Sequence, residues 1–313
     1  MKKFNAMHYS RRQILQFYGL SGVGLAITPS LFSFMKNETI RQRVIPSSGK
    51  KLPVVGIGTW QTFDVDGDEA IMATLKQVLN EIYSLGGTVI DSSPMYGSSE
   101  ATVGQLTAAL PSQDEFFFAT KVWISGKQAG IDQMNSSFQK MKRSAMDLMQ
   151  IHNLVDWETH VKTLKAWKEQ GKITYWGLTH YLDSAHATLE KIIQQEKPDF
   201  VQFNYSIRAR HAEQYLFDTC EKYGTAVVIN QPFESGSLFR TVKDKELPAW
   251  VGEYGIKSWG QYFLKFILSN ETVTCVIPGT SKPNHAIDNM GAGYGALPDT
   301  KGREKMAAYM NSL

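Results

Sequence analysis

The feature that most constrains the fold is an alternation of two kinds of segment, repeated eight times from residue 54 onward. Short apolar runs rich in β-branched and aromatic residues are followed by longer segments with apolar residues at helical spacing. This alternation predicts βα units around a parallel sheet, because a strand that is covered on both faces is apolar along its whole length. The candidate strands cover residues 54–58, 88–93, 116–122, 147–153, 174–180, 200–206, 226–233 and 274–280.

Eight such units predict an α/β fold, a (β/α)₈ TIM barrel that forms a single domain. The alternative is a doubly wound open sheet, which carries G-x-G-x-x-G after its first strand when it binds a dinucleotide. Here the first strand ends in Gly-Ile-Gly-Thr-Trp (56–60) without a third glycine, and this favours the barrel. Residues 39–53 contain a Ser-Gly turn, so we expect an N-terminal hairpin that closes the bottom of the barrel.

The first 36 residues differ in composition from the rest of the chain. They carry five basic residues and no acidic one, and a mostly apolar run covers residues 14–35. This layout is typical of an export signal, and the Ser-Arg-Arg-x-Ile-Leu stretch at 10–15 resembles the twin-arginine signal. We therefore expect an export signal at residues 1–36 and the barrel domain at 37–313. The alternative is an amphipathic helix of the folded domain, which the glycines of this segment disfavour.

Export has consequences for location and partners. The expected partner is the twin-arginine export machinery, and the expected location is the periplasm, with the leader either removed or kept as a tether to the inner membrane. Without the leader, the net charge changes from +3 to about −2, which disfavours nucleic acid as a partner. No later segment is apolar over a length that spans a bilayer, so we expect membrane contact only through the N-terminal segment.

The chain has two cysteines, Cys220 and Cys275. Two cysteines are too few for a disulfide framework or a zinc site, so we expect no metal centre. They either pair in an oxidising compartment or remain as two buried thiols. Because each lies in a segment with periodic apolar residues, buried free thiols are favoured.

Polar side chains interrupt the ends of candidate strands two, three and four. Asp91 ends the second strand, Lys121 the third and His152 the fourth, and Tyr96 follows Asp91 by five residues. In a barrel of this kind the reacting groups come from the C-terminal ends of the strands. Each residue has a structural alternative when taken alone: a turn cap, a solvent-directed charge or a hydrogen-bonded core histidine. Together the four residues indicate a catalytic site.

An acid, a lysine, a phenol and an imidazole at one barrel mouth can donate a proton. Lys121 would lower the pKa of Tyr96, which is ordinarily about 10, and Asp91 would keep Lys121 protonated. His152 would donate a hydrogen bond to a substrate carbonyl oxygen as negative charge develops there. This set protonates a carbonyl but supplies no electrons, so a reduction needs a hydride donor such as a reduced nicotinamide.

The chain resembles the aldo-keto reductases from about residue 41 to about residue 300. The resemblance is carried by GIGTW (56–60), by Asp91 with the SSPMYGSSE stretch that follows it (92–100), and by TKVW (120–123), MQIHN (149–153), QFNYS (202–206) and IPGTSKPNHAIDN (277–289). It implies a catalytic tetrad of Asp91, Tyr96, Lys121 and His152. It also implies a nicotinamide cofactor that lies extended across the barrel mouth, with NADP(H) favoured over NAD(H).

The resemblance further implies a set of cofactor-binding residues, and the departures from the family pattern fall on this side of the site. Thr179-His180 replaces Ser-Asn after strand five, Asn230 replaces a stacking aromatic residue after strand seven, and His285 replaces an arginine after strand eight. These differences predict an altered hold on the cofactor. The full expected set is Thr179, His180, Gln202, Asn230, Ser235, Thr280, Lys282, His285, Asp288 and Asn289.

Two further functions stay open on the sequence alone. One is acid–base chemistry on a carbonyl or sugar substrate without a cofactor, and the other is a barrel that binds a ligand without catalysis. The preferred partner is a small-molecule carbonyl substrate. Trp60, Trp123 and Trp157 either line its pocket or pack against neighbouring loops. Arg208 and Arg210 either bind an acidic group of the substrate or are solvated charges.

Overall fold

The strands of the computed structural model, which describes residues 39–313, confirm the predicted barrel. Eight parallel strands follow one another around a continuous sheet in chain order. The ring closes where Val55 pairs in parallel with Val276 and the Gly56 N–H donates to the Val276 carbonyl at 2.9 Å. The strands are β1 (Gln42–Val44) and β2 (Lys51–Pro53), which precede the barrel, and β3 (Ile57–Gly58), β4 (Val89–Asp91), β5 (Phe117–Val122), β6 (Met146–His152), β7 (Ile173–Thr179), β8 (Phe200–Asn204), β9 (Ala226–Asn230) and β10 (Val273–Val276).

Helices form the outer layer of the barrel. The first one shows why: Asp68 caps its start by accepting the Ala70 and Ile71 N–H groups, and apolar residues at helical spacing bury one face. The helices are α1 (Glu69–Ser84), α2 (Ser99–Ala108), α3 (Lys127–Lys140), α4 (Trp157–Glu169), α5 (His186–Glu196), α6 (Leu216–Tyr223), α7 (Ser237–Thr241), α8 (Trp259–Leu268), α9 (Pro283–Gly291) and α10 (Thr300–Asn311).

The expected hairpin is present and closes the bottom of the barrel. β1 and β2 pair antiparallel, with Gln42 opposite Pro53. Ile45 and Leu52 of the hairpin join the buried cluster that fills the barrel interior, and the Ser48 hydroxyl lies 2.7 Å from the Tyr175 hydroxyl. The members of that cluster are Ile45, Leu52, Val89, Phe117, Ala119, Leu148, Tyr175, Phe200, Ala226, Val228, Cys275 and Ile277.

The interior changes from apolar to polar along the strands. Residues two apart on a strand point to the same side. The buried polar residues Asp91, Gln150 and Gln202 therefore lie one layer above cluster members on β4, β6 and β8. Aligned registers place Lys121 beside Gln150 and His152 beside Thr179. The polar groups are thus concentrated at the C-terminal end of the barrel, opposite the hairpin.

The two cysteines are free and buried, as expected, with Cys220 in α6 and Cys275 in β10. Burial raises the pKa of both thiols. Within residues 39–313, no helix is both long and apolar enough to cross a membrane. In the same range, no cluster of three or more histidine, cysteine or acidic side chains is arranged to hold a metal ion. The predicted leader at residues 1–36 lies outside the described residues.

Candidate active site

The four predicted catalytic residues meet at the C-terminal end of the barrel. Asp91 and His152 are the last residues of β4 and β6, Lys121 lies in β5, and Tyr96 is in the turn after β4. Lys121 Nζ donates to Asp91 Oδ2 at 2.5 Å and lies 5.0 Å from the centre of the Tyr96 ring. The rings of Tyr96 and His152 meet edge to face, with centroids 5.7 Å apart. The phenol, the ammonium group and the imidazole are therefore neighbours.

Asp91 is the centre of a buried hydrogen-bond network. Its Oδ2 accepts from Lys121, while its Oδ1 accepts from Gln150 Nε2 at 3.0 Å and from Gln202 Nε2 at 2.9 Å. Lys121 Nζ also donates to the Ser92 carbonyl at 2.6 Å. Sequence reasoning missed Gln150, although its position two residues before His152 on one strand was a usable signal. The network holds the carboxylate and the ammonium group in fixed positions.

The buried ion pair fixes the charge of Lys121. Burial alone would lower the pKa of its ammonium group, but the adjacent Asp91 carboxylate and the Tyr96 phenol outweigh burial, and the pKa is raised. The pKa of Tyr96 is also raised, because desolvation of the phenolate outweighs the opposing effect of the Lys121 charge. We expected Lys121 to bring the pKa of Tyr96 below its ordinary value. That expectation is wrong, because the net shift of the pKa is upward. Lys121 acts in the expected direction, but burial is the larger effect.

His152 is a neutral imidazole at the edge of this group. Burial, with the nearby Lys121 charge and His180, lowers its pKa to about 2. Its Nδ1 lies 2.9 Å from the hydroxyl of Ser93, which is buried. The Trp123 ring covers it from the side, with centroids 6.3 Å apart. A neutral imidazole can offer its N–H to an oxygen without carrying a net charge.

Four of the residues expected to bind the cofactor are connected beside the tetrad. Gln202 Oε1 accepts from Thr179 Oγ1 at 3.1 Å and from Asn230 Nδ2 at 3.3 Å. Asn230 Nδ2 also donates to the His180 carbonyl at 3.1 Å, and Asn230 Oδ1 is buried without a hydrogen-bond partner in the structure. The His180 ring is hydrogen-bonded to its own loop, because its Nδ1 accepts from the N–H groups of Tyr181 and Leu182. An unpartnered amide oxygen therefore lies next to Gln202.

The loop after β9 carries another expected residue, Ser235. The backbone of this loop has positive φ at Gln231, Glu234 and Ser235, and Gly236 follows with φ +84°. Two N–H groups of this turn are used within the turn itself, because Glu234 donates to the Gln231 carbonyl and Gly236 to the Phe233 carbonyl, each at 2.9 Å. Arg208 Nη2 donates to Glu234 Oε2 at 2.6 Å, so the loop is tied to the segment that follows β8.

The remaining expected residues lie where β10 leads into α9. Thr280 Oγ1 accepts the Lys282 N–H at 3.1 Å. Asp288 accepts from Ser258 Oγ at 2.6 Å and from Gln261 Nε2 at 2.9 Å. Desolvation and the charge of Lys282 lower the pKa of His285. Asn289 is buried in the same helix.

The rim of the mouth is rich in apolar side chains. Trp60 is 45% exposed and Trp123 is 41% exposed, whereas Trp157 is half-buried at the start of α4. Arg208 pairs with Glu234 of the loop after β9, and Arg210 pairs with Glu213 of its own segment. These two arginines therefore already have carboxylate partners within the protein.

The model of the aldo/keto reductase family matches residues 54–303. The chain belongs to the aldo/keto reductase family. The resemblance seen in the sequence is thereby confirmed, and the protein is an NAD(P)H-dependent oxidoreductase of the aldo-keto reductase type.

Individual aldo-keto reductases are 20–25% identical to this chain over the aligned residues. An aldo-keto reductase of Mycolicibacterium smegmatis is 24% identical over 253 residues, covering 79% of this chain and 86% of the relative. The NADH-specific methylglyoxal reductase of Escherichia coli is 25% identical over 244 residues, covering 66% and 71%. The structure of a Klebsiella pneumoniae aldo-keto reductase in complex with NADPH matches with a TM-score of 0.72 at 20% identity, covering 87% of this chain and 96% of that one. This structural match supports the fold.

Proposed function

We propose that the protein reduces a small aldehyde or ketone, with Tyr96 as the proton donor and NADPH preferred over NADH. The observation that carries the proposal is the joint position of Asp91, Lys121, Tyr96 and His152 at the open end of the barrel. Reduction of a carbonyl adds a hydride to carbon and a proton to oxygen. Bound NAD(P)H supplies the hydride.

The side chains supply the proton and the charge stabilisation. Tyr96 is protonated at neutral pH, because its pKa is raised by burial. It donates the proton of its hydroxyl to the carbonyl oxygen, and the Lys121 charge beside the ring stabilises the phenolate that forms. His152 donates a hydrogen bond to the same oxygen. Asp91 keeps Lys121 protonated and directed toward the phenol.

Two features of the mouth fit a nicotinamide dinucleotide. The buried, unpartnered Oδ1 of Asn230 is a suitable acceptor for the amide N–H₂ of a nicotinamide. The Ser235 hydroxyl, in the loop that follows β9, is a suitable donor to a pyrophosphate oxygen. Thr179, His180 and Gln202 would surround the nicotinamide end, Ser235 the pyrophosphate, and Thr280, Lys282, His285, Asp288 and Asn289 the adenosine end. Asn230 then acts as a hydrogen-bonding residue in a place where a stacking ring is common in the family.

The preference for NADPH is supported by Lys282, a permanent cation, and by His285 when its imidazole is protonated, both suited to a 2′-phosphate. Because the pKa of His285 is lowered, its contribution sets in only as the pH falls below about 6.5. Affinity for NADPH should therefore rise in mild acid, while affinity for NADH stays level.

Quenching of protein fluorescence, titrated with each nucleotide at about pH 5.5 and about pH 7.5, measures this difference. His285→Arg should remove the pH dependence and tighten NADPH binding, whereas Asn284→Ala, on the neighbouring exposed residue, should leave both nucleotides unaffected. NADH binding that is equal to or tighter than NADPH binding at both pH values would reject the preference.

The reaction itself is tested by following oxidation of NADPH with a panel of small carbonyl compounds, including methylglyoxal, glyceraldehyde and aromatic aldehydes. The exposed Trp60 and Trp123 favour a substrate with a flat or apolar face. Oxidation that depends on both the carbonyl compound and the protein supports the proposal. Consumption of a carbonyl compound at the same rate without any nicotinamide would contradict it.

We also propose that residues 1–36 act as a twin-arginine export signal, which places the barrel in the periplasm. The support lies in the paired Arg11 and Arg12 ahead of an apolar run and in the absence of acidic residues before Glu38. The N-terminal sequence of the exported protein distinguishes a removed leader from a retained membrane tether.

A further inference from the structure

Ser93 lies between the tyrosine and the histidine of the site. It is fully buried two residues beyond the end of β4. Its hydroxyl is 2.9 Å from Nδ1 of His152, and its carbonyl accepts the Tyr96 N–H at 3.0 Å. One residue therefore contacts both the imidazole and the backbone of the turn that carries the phenol.

The hydrogen bonds around Ser93 leave its hydroxyl proton free to point at His152. The oxygen of Ser93 faces the Met95 N–H at 3.4 Å, a long contact in which the backbone donates and the hydroxyl accepts. The hydroxyl proton then remains available for Nδ1 of His152. A neutral imidazole has one N–H, so an Nδ1 that accepts leaves the proton on Nε2.

We propose that Ser93 is a positioning residue that donates to His152 Nδ1, and so holds the imidazole as the Nε2–H tautomer with that N–H directed at the substrate carbonyl. This inference rests on the proposed carbonyl reduction. The opposite tautomer would present a bare Nε2 to the developing oxyanion, where a donor is needed. The ring also has packing partners in Tyr96 and Trp123, but neither of those ring contacts selects a tautomer. The Ser93 hydroxyl is therefore the group that selects the tautomer of His152.

The tautomer can be observed without any cofactor or substrate. Long-range ¹H–¹⁵N spectra of the ¹⁵N-labelled protein at neutral pH distinguish a protonated ring nitrogen from a bare one, and loss of one signal set in His152→Gln assigns the ring. We expect a bare Nδ1 and a protonated Nε2 in the natural protein and in Ser93→Thr, and a mixture of both tautomers in Ser93→Ala. A protonated Nδ1 in the natural protein, or an unchanged tautomer in Ser93→Ala, would overturn the proposal.

Kinetics supply the second readout. Removal of one buried hydrogen bond should lower kcat for reduction by about 10- to 100-fold in Ser93→Ala with little change in KM, and Ser93→Thr should restore most of it. In the His152→Gln background the Ser93→Ala change should have almost no further effect. Ser99→Ala is the matched control, because Ser99 is equally buried nearby and its hydroxyl faces the Thr59 carbonyl instead.

The two proposals fail in different ways. If the protein reduces no carbonyl compound in any form, the proposed function fails while the spectra still report the tautomer. If reduction occurs and Ser93→Ala retains full kcat, the role of Ser93 fails while the function stands.

Discussion

At the scale of single residues, the site depends on groups whose protonation is decided by burial and by neighbouring charges. Tyr96 keeps its proton because desolvation raises its pKa, and His152 remains neutral because desolvation lowers its pKa. Lys121 remains charged because Asp91 lies 2.5 Å away. The same barrel mouth therefore holds a proton donor, a neutral hydrogen-bond donor and a permanent cation.

Tyr96→Phe removes the proton donor and leaves the ring in place. We expect kcat for reduction to fall by about 10²- to 10⁴-fold, the usual contribution of general acid catalysis, with the unfolding transition nearly unchanged. Tyr83→Phe, in α1 on the outside of the barrel, is the matched control and should keep full activity. Steady-state assays with NADPH and an active carbonyl compound give the comparison, and full activity of Tyr96→Phe would refute the assignment.

The lowered pKa of His152 predicts how the rate responds to pH. Because the imidazole titrates at about 2 in the folded protein, kcat for reduction should show no loss between about pH 8 and about pH 5 from this group, even though free histidine titrates near 6.5. A pH profile of kcat checks this expectation. A fall with a midpoint near 6.5 that disappears in His152→Gln would contradict it.

The same shift has a consequence for stability. The pKa of His152 is lower in the folded protein than in the unfolded chain, so the unfolded chain binds the proton first as the pH falls. The free energy of unfolding therefore keeps its full value above about pH 6.5 and decreases below that pH. By about pH 5 the lowered pKa of His152 reduces the free energy of unfolding by about 2 kcal/mol. Urea unfolding at about pH 7 and about pH 5 should show a smaller loss in His152→Gln than in the natural protein. An equal loss in both proteins would show that other groups account for the acid sensitivity.

At the scale of elements, the sequence predicts where strands occur better than where they end. The candidate strand at 226–233 stops at Asn230, because Gln231 adopts a positive φ and Pro232 has no N–H to donate. The candidate at 274–280 stops at Val276, two residues before Pro278. Apolar patterning alone extends both strands too far. The two prolines are visible in the sequence, but the positive φ of Gln231 is not.

The residues of the candidate site also differ in how far the sequence predicted them. Asp91, Lys121 and His152 were predictable, because ionisable residues interrupt apolar strands at the end where barrels carry their chemistry. Gln150 and Ser93 were not singled out, because a neutral polar residue within a strand or turn is common and only the fold shows which carboxylate or imidazole it meets. On the cofactor side, the altered residues were visible, but the hydrogen bonds of the His180 ring to its own loop were not.

The hairpin is an element whose role can be tested apart from catalysis. Leu52 is 5% exposed and belongs to the cluster that fills the barrel. Leu52→Ala should lower the free energy of unfolding by about 2–5 kcal/mol, because it leaves a cavity in a packed core, while kcat stays close to that of the natural protein. Val44→Ala, on the adjacent strand of the hairpin where Val44 is 48% exposed, should cost less than about 1 kcal/mol. Equal effects of the two changes on denaturant unfolding would mean that the hairpin does not act as a packed plug.

At the scale of the whole molecule, stability and chemistry occupy opposite ends of the barrel. The apolar cluster and the hairpin close one end, and the network around Asp91 opens at the other. Loop changes at the mouth therefore alter the site without disturbing the core, which is the arrangement by which this fold hosts many reactions.

The proposed export is tested on the full chain. Replacing both Arg11 and Arg12 by lysine preserves the charge of the leader, so a loss of export would show that the arginine pair itself is recognised. We expect the double variant to accumulate in the cytoplasm, folded and with full reductase activity, while the natural protein is recovered from the periplasm. Cell fractionation with immunoblotting is the measurement. A single Lys3→Arg variant is the control, and unchanged periplasmic recovery of the double variant would rule out the twin-arginine route.

The two buried thiols bear on the order of events during biogenesis. Thiol–disulfide exchange requires an accessible thiolate, and burial raises the pKa of Cys220 in α6 and of Cys275 in the barrel interior. A chain that folds while its surroundings are still reducing would therefore offer no sulfur to an oxidant met afterwards. In a chain that met the oxidant before folding, both thiols would still be accessible, and a disulfide between them would join two residues that are separate free thiols in the folded barrel. If the chain is exported as proposed, folding before export would keep both thiols out of reach of oxidants.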